Sequence, residues 1–389
     1  MNYLVLDVET TINNKGNPFD ETNKLCYVGL LSDGRSNTLP IEYSSDPYGG
    51  SLARIQAAID STDLIIGFNL KFDLHWVRRY GINISNKRVW DCQLVHFILT
   101  GQGKAYPSLN GVAEYYGLGS KLDIVASEYW KNGIDTPNVP KDILEEYLVG
   151  DLVLTEQVYQ KQLEDIAKAS PQMIRLISLH NQDLMVLQEM EFNGILFDEE
   201  RCNELGKELE EQISKLDSIL YEYHNLDDFN PNSTEHISAL LYGGVIKVRR
   251  REAIGYYKSG PRAGQVKEKW VDKEIEFPRL ATPLKNTELE KDGFFSIEDA
   301  VLKRLKGSKK TKELIELILA RATLEKRLTA YYVGLPKLRE EMKWKHGRLH
   351  GQLNQCVART GRLSSSKPNL QNFDGEIKEL FRSRYEYTS

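Results

Sequence analysis

The sequence predicts an α/β domain followed by a mainly α-helical region, and three observations carry that prediction. Residues 2–8 alternate in the manner of a strand, and Leu64-Ile65-Ile66-Gly67-Phe68 is a short apolar run of the kind that forms a buried strand. Segments of helical period follow and interleave with such strands as far as residue 165. Beyond Pro171, the longest periodic stretches are helical. With 389 residues the chain exceeds what one hydrophobic core supports, so two or three domains are expected.

After the opening strand, further strands are expected near Leu25–Ser32 and Thr38–Tyr43, following a loop rich in Asn, Gly and Pro. Gly49–Ser61 places Leu52, Ile55, Ala58 and Ile59 on one helical face. Lys71–Tyr80, Cys92–Thr100, Ser108–Tyr116 and Lys141–Asp165 read as helices, and so does Pro171–Asn193. Asp198–His224 repeats apolar residues at Leu205, Leu209, Ile213, Leu216, Leu220 and Tyr223, a spacing that suits a paired helical hairpin. Its first turn carries Asp198, Glu199 and Glu200, where negative charge is favourable. Thr311–Tyr332 is a second long amphipathic helix and the candidate partner. Between them, Val245–Asp292 is basic and aromatic and contains Gly255, Gly260-Pro261 and Gly264; strands and loops, ordered only in part, are expected there. His346–Phe373 reads as turns and short strands. No internal repeat is visible.

The formal net charge is −5, but it is unevenly spread. Ile246–Lys285 holds 11 Lys and Arg against 5 Asp and Glu, and Lys343–Ser389 holds 9 against 4, which leaves −16 for the rest. An acidic body with two basic segments suits an anionic polymer. Two solvated surfaces account for it equally well, and composition alone leaves both open. Cys26, Cys92, Cys202 and Cys356 have no paired spacing, so neither a zinc site nor a disulfide framework is indicated. The chain enters a strand at once, without a signal peptide, and no apolar stretch approaches the ~20 residues of a membrane span. A reducing cytosol fits these features.

Five residues point to chemistry. Asp7 and Glu9 close the first apolar run, and on a strand they point the same way. Asp73 follows the second run through Asn69-Leu70-Lys71-Phe72. Tyr147 and Asp151 lie four apart in a helical stretch and share a face. Each fragment has a plain reading by itself: a solvated strand end, a helix cap, an exposed pair. Gathered at one point, however, four carboxylates repel and stay ionised together only with cations between them. All-oxygen ligands select magnesium or manganese. Asp7, Glu9 and Asp151 are expected to hold one ion, with Asp7 bridging to a second about 4 Å away, a pair suited to hydrolysing a phosphodiester.

Asp7-Val8-Glu9-Thr10, Asn69-Leu70-Lys71-Phe72-Asp73 and Tyr147-Leu148-Val149-Gly150-Asp151 resemble the three exonuclease motifs of the DEDDy class. The resemblance implies a ribonuclease-H-like fold over residues 1–165 and 3′→5′ removal of nucleotides as 5′-monophosphates. It implies that Asp7, Glu9 and Asp151 bind the first metal, that Asp73 orients the second, and that Tyr147 positions the attacking water with Glu9. Thr10 and Asn69, inside those motifs, are expected to touch DNA. Phe72 stands where a Tyr is frequent in the class.

The far end of the chain, Arg359-Thr360-Gly361-Arg362-Leu363-Ser364-Ser365-Ser366-Lys367-Pro368-Asn369-Leu370-Gln371-Asn372, resembles the primer–template motif of family A DNA polymerases. An Arg in the minor groove senses duplex shape without reading sequence, and hydroxyls and amides hold phosphates and sugars. By this likeness Arg362 touches the primer end, while Ser364, Ser365, Asn369 and Gln371 hold the duplex. Met190-Glu191-Phe192-Asn193-Gly194-Ile195 resembles the entry to the polymerase thumb, a mainly α-helical region expected over 166–345 with a basic insertion near 245–292. Residues 346–389 then start the palm, and the sequence reaches Tyr387-Thr388-Ser389 without palm carboxylates. The expectation is therefore a proofreading exonuclease and DNA-binding thumb. Its partners would be a single-stranded 3′ end, a primer–template duplex and, if the sequence is half of a split polymerase rather than a truncated one, a second polypeptide bringing fingers and palm. The alternatives are a DNA-binding subunit with little free nuclease activity and an RNA-trimming exonuclease.

Overall fold

The computed structural model describes residues 2–43, 50–119, 123–224 and 229–383, and the chain divides into two compact units, Met1–Glu199 with Leu335–Ser389, and Glu200–Gly334. The first is built on β1 (Tyr3–Thr10), β2 (Leu25–Ser32), β3 (Arg35–Pro40), α1 (Ser51–Asp60), β4 (Leu64–Gly67), α2 (Leu70–Arg79), β5 (Arg88–Asp91), α3 (Cys92–Leu99), α4 (Leu109–Tyr115), α5 (Lys141–Ile166), α6 (Pro171–Asn193) and β6 (Ile195–Phe197). The main sheet has the order β3-β2-β1-β4-β5. β2 is antiparallel to β1 and β3, while β4 and β5 run parallel to β1. The central strand is covered on both faces, which is why it reads as a near-continuous apolar run. Leu4, Leu6 and Val8 pack with Leu70, Leu74 and Val77 of α2, and Val5 packs on the opposite side with Leu152 and Val158 of α5.

The expected boundary at residue 165 does not coincide with this division. α6 buries Ile177 and Leu184 in the core of the first unit, and its Asn181 Oδ1 accepts the Asp91 N–H at 2.9 Å. The strand expected over Thr38–Tyr43 starts earlier, because Asp33 (φ 49°) and Gly34 (φ 71°) make a two-residue turn that returns the chain at Arg35. α1 starts at Ser51, and Gly49 lies outside the described residues.

The second unit consists of α7 (Glu199–His224), α8 (Thr234–Tyr242), β7 (Gly244–Tyr256), β8 (Val266–Phe277), α9 (Asp299–Leu302) and α10 (Lys309–Arg327). Along α7, Leu209, Ile213 and Leu220 are buried and Leu205 and Leu216 half-buried; the Tyr223 side chain is outside the described residues. α10 is the partner: Arg321 of α10 pairs with Asp217 of α7, and its Nη1 donates to Asn232 Oδ1 at 2.7 Å. The segment read as strands and loops contains one long antiparallel hairpin, β7–β8, with turns and loop following it to residue 292. α8, missed in the sequence, packs Ile237, Leu240 and Leu241 beneath it.

The chain then re-enters the first unit through α11 (Gly334–Glu341), β9 (Arg348–Leu349), β10 (Gln352–Asn354), β11 (Ser364–Ser366), α12 (Gly375–Lys378) and β12 (Phe381–Arg382). β6 lies between β12 and β9, and β10 pairs with β11. Thr311–Tyr332 is thus one helix to Arg327, followed by a wider turn over Leu328–Val333. Tyr387-Thr388-Ser389 lies outside the described residues. No helix among them is long and apolar enough to cross a membrane.

Candidate metal-binding carboxylate site

β1 alternates, so Asp7 and Glu9 face α5 together with Val5. α5 can lie low here because Gly29, paired with Asp7 across β1–β2, has no side chain: a Cβ there would stand 2.8 Å from Leu148 Cγ and 2.9 Å from Leu152 Cδ1. That approach sets Asp151, one residue before Leu152, above the two strand acids. Carboxylate oxygens of Asp7, Glu9 and Asp151 lie within 4.8 Å of one another, with Glu9 and Asp151 buried and Asp7 half-buried. The β1–β2 register shifts between Glu9 and Thr10, a bulge that re-aims the end of the strand.

Asp73 joins from the other side of the strand. Pairing of β4 with β1 is registered only as far as Val5, and the Val8 N–H beyond it donates to Asp73 Oδ1 at 3.1 Å. Asp73 is fully enclosed in the first turn of α2. Burial, and then the charge of Asp7, raise its carboxyl well above the usual range. Tyr147 sits one turn before Asp151 and packs edge-on against Trp130, ring centroids 6.0 Å apart. Burial first, then the charges of Asp151 and Glu9, push its hydroxyl far up, so it remains a proton donor. The donor set of three close carboxylates, with a fourth alongside, fits a hard divalent cation.

Asn69 adopts a left-handed conformation (φ 59°) at the turn into α2 and borders a cavity of about 330 Å³ that Lys71, Gln93, Tyr106 and Lys367 also line. A larger, apolar cavity of about 630 Å³ lies between α5, α6 and β5 and holds none of the acids. Thr10 is buried: its hydroxyl donates to Thr11 O at 3.1 Å, and its carbonyl accepts from Thr136 Oγ1 at 2.5 Å.

Two supporting groups escape the sequence reading. Asp91 accepts the N–H groups of Asn69 (3.1 Å), Leu70 (3.0 Å), Gln93 (2.9 Å) and Leu94 (3.2 Å), fixing the starts of α2 and α3 together. An Asp closing a strand just before a helix is an N-cap signal that sequence alone offers. Glu191 is the second. Its carboxylate accepts from Lys71 Nζ at 2.6 Å, from Leu353 N at 2.5 Å, and meets His75 Nε2 at 2.8 Å, tying α2 and α6 to β10. Burial opposes ionisation, but the His75 hydrogen bond and the Lys71 charge hold its carboxyl below the usual range.

The segment resembling a primer–template motif supplies β11, which pairs with β10, and the turn that follows it. Arg362 is exposed and Ser364 half-buried. Ser365 is buried, and its hydroxyl donates to Asn369 Oδ1 at 3.0 Å. Asn369 Oδ1 also accepts Gln371 N at 3.2 Å, and Gln371 Nε2 donates to Leu363 O at 2.7 Å. Three of the five expected contact residues thus shape the turn that presents Arg362.

The fold is a mixed α/β one that resembles a DNA polymerase domain. It is similar to the solved POL domain of Pol1 from M. smegmatis in complex with DNA primer-template and dNTP, with a TM-score of 0.60 over 97% of this chain and 53% of that one, at 16% identity. Residues 272–388 match the family model for DNA polymerase family A. Over that stretch the chain is similar to family A DNA polymerases. The particular relatives are DNA polymerase I enzymes. Identity is 26% over 324 residues to that of Synechocystis sp., covering 80% of this chain and 28% of the relative. It is 24% over 306 residues to that of Bacillus subtilis, covering 78% and 29%. It is 30% over 207 residues to that of Geobacillus stearothermophilus, covering 53% and 18%. The chain spans less than a third of the length of these relatives.

Proposed function

We propose that this chain is a metal-dependent 3′→5′ exonuclease joined to a DNA-holding thumb, a proofreading portion of a family A DNA polymerase. The observation that carries the reading is the convergence of Asp7, Glu9 and Asp151 within 4.8 Å, with Asp73 bonded to Val8 between the two strand acids. The sheet order β3-β2-β1-β4-β5, with three antiparallel strands followed by two parallel ones, supports a ribonuclease-H-like domain. The primer–template complex of the similar polymerase domain supports DNA as the polymer bound.

Asp7, Glu9 and Asp151 would hold one magnesium or manganese ion, and Asp73 with Asp7 would serve a second. Bound there, such ions supply an acidified water and charge neutralisation on the scissile phosphate. The chain's own groups do the positioning. Glu9 accepts a hydrogen bond from the attacking water, and Tyr147, kept protonated by burial and its acidic neighbours, donates one toward the same water or a phosphate oxygen. Water oxygen bonds to phosphorus, the bond to the 3′ oxygen of the penultimate nucleotide breaks, and a nucleoside 5′-monophosphate leaves. The turn at Ser365, Asn369 and Gln371 holds Arg362 outward toward a primer–template duplex, with Ser364 beside it. Thr10 and Asn69 are assigned to the end of the single strand.

The test is incubation with end-labelled single-stranded DNA, and with RNA of the same sequence, in magnesium. Stepwise 3′ shortening of DNA that Asp7→Ala abolishes is the expected result. An RNA preference would support RNA trimming instead, and full activity in Asp7→Ala would refute the site.

A further inference from the structure

The β7–β8 hairpin of the second unit carries charge and aromatic surface that its core does not use. Its base is anchored: Ile246 and Val248 are buried, and with Phe277 and Ile275 they join the core around α8 and α10. Beyond the base, residues 253–270 are almost all exposed, so the ribbon leaves the core with both faces in solvent. From Val248 to Tyr256 it extends roughly 26 Å at strand rise.

Charge along the ribbon is not where the sequence draws the eye. The Arg249–Arg251 cluster is matched by acids, through Arg249–Asp272 (3.7 Å), Arg250–Glu252 (2.8 Å) and Arg251–Glu268 (3.6 Å). Residues 244–252 and 270–277 together hold five basic and four acidic side chains, whereas the tip, residues 253–269, holds four basic and one acidic. Among the described residues, Lys258, Arg262, Lys267 and Lys269 make no ion pair. The tip is an ordered loop: Tyr257 N donates to Gln265 O at 3.0 Å and Gly264 N to Tyr257 O at 2.9 Å. Arg262 and Lys267 lie 5.9 and 6.0 Å from the Tyr257 ring centroid, and Tyr256 beside it is 68% exposed.

We propose that this hairpin tip is a second, sequence-independent contact with the phosphate backbone of duplex DNA. Lys258, Arg262, Lys267 and Lys269 meet phosphates, and Tyr256 lies against the sugars. A two-stranded ribbon has the dimensions of the major groove, and its anchored base sets the direction of approach. Cations outside any ion pair add to affinity by releasing counterions from the duplex, at about 0.9 of a logarithmic salt slope per phosphate neutralised. The inference rests on the reading of this chain as a DNA-acting protein, and the test separates the two.

The full chain is titrated with a fluorescein-labelled DNA duplex in EDTA, which blocks hydrolysis, between about 50 and 200 mM salt. The comparison is with a Lys258→Glu/Arg262→Glu/Lys267→Glu variant and with a shortened hairpin in which Asn-Gly replaces residues 253–268. The expected result is at least ~10-fold weaker binding in both, with a salt slope shallower by about 2–3 in the triple variant. Both variants should keep the parent's exonuclease rate on short single strands. Parent-like affinity and slope in both variants overturn the hairpin contact alone, and failure of the parent to bind duplex overturns the broader reading too. Equal or tighter binding of polyglutamate by the parent would assign the tip to an acidic protein and overturn the DNA assignment.

Discussion

Gly29 lies directly beneath Leu148, so close that a Cβ on it would come within 2.8 Å of the leucine Cγ. That absent side chain sets the height of α5 over β1 and β2, and with it the reach of Asp151 toward Asp7 and Glu9. Gly29→Val should lift the helix and cost roughly 1–3 kcal/mol of stability by overpacking. It should weaken manganese binding by a larger factor than Gly34→Val, which strains the left-handed β2–β3 turn but meets no atom within 4 Å. Equal effects of the two on manganese affinity would separate the close approach from the site.

Asp91 organises two helix starts through four backbone N–H groups. Asp91→Ala should destabilise the first unit by roughly 2–4 kcal/mol in urea unfolding, since buried donors lose their acceptor. Asp91→Asn, which keeps one acceptor oxygen, should lose about half as much.

Much of this arrangement is legible in the sequence, and the reasons are physical. Asp7, Glu9 and their strand can be read because a central strand must be apolar on both faces, so acids at its end stand out. Asp151 and Tyr147 can be read because helical spacing fixes their common face. β5 escapes because four residues with Arg88 and Asp91 at the ends carry no period. The true extent of the first unit escapes because α6 has apolar residues all round: Ile177 and Leu184 are buried, while Leu179, Val186 and Met190 are more than half exposed. The Glu191 network joins residues from 71 to 353, a separation no local pattern reports. In the basic segment, composition reveals the charge but not its pairing, which depends on the cross-strand register.

Tyr147 keeps its proton at any ordinary pH, because burial and its acidic neighbours hold it there. Tyr147→Phe should lower the exonuclease rate by roughly 10²-fold while leaving manganese affinity and melting temperature near those of the parent. A matching loss of metal binding would instead make Tyr147 part of the packing that holds Asp151.

His350 stacks on Phe19 with ring centroids 4.1 Å apart, and its Nδ1 donates to Glu191 O at 2.9 Å. Burial lowers its pKa to about 4. The unfolded chain, with His near 6.5, therefore binds more protons between these values, so stability falls as pH falls from about 6.5 to 4. The slope from this one residue is at most roughly 1.4 kcal/mol per pH unit. In His350→Asn that part of the slope should vanish, as measured by urea unfolding across the window. An unchanged slope would place the acid sensitivity elsewhere.

On the proposed function, Asp7, Glu9 and Asp151 hold a divalent ion at the point where a nucleic-acid end is cut. Anomalous scattering from crystals equilibrated with millimolar manganese addresses it directly. A peak within coordinating distance of all three carboxylates, absent from Asp151→Ala crystals, is the predicted result. Manganese bound elsewhere, or absent from that corner of the sheet, would contradict it.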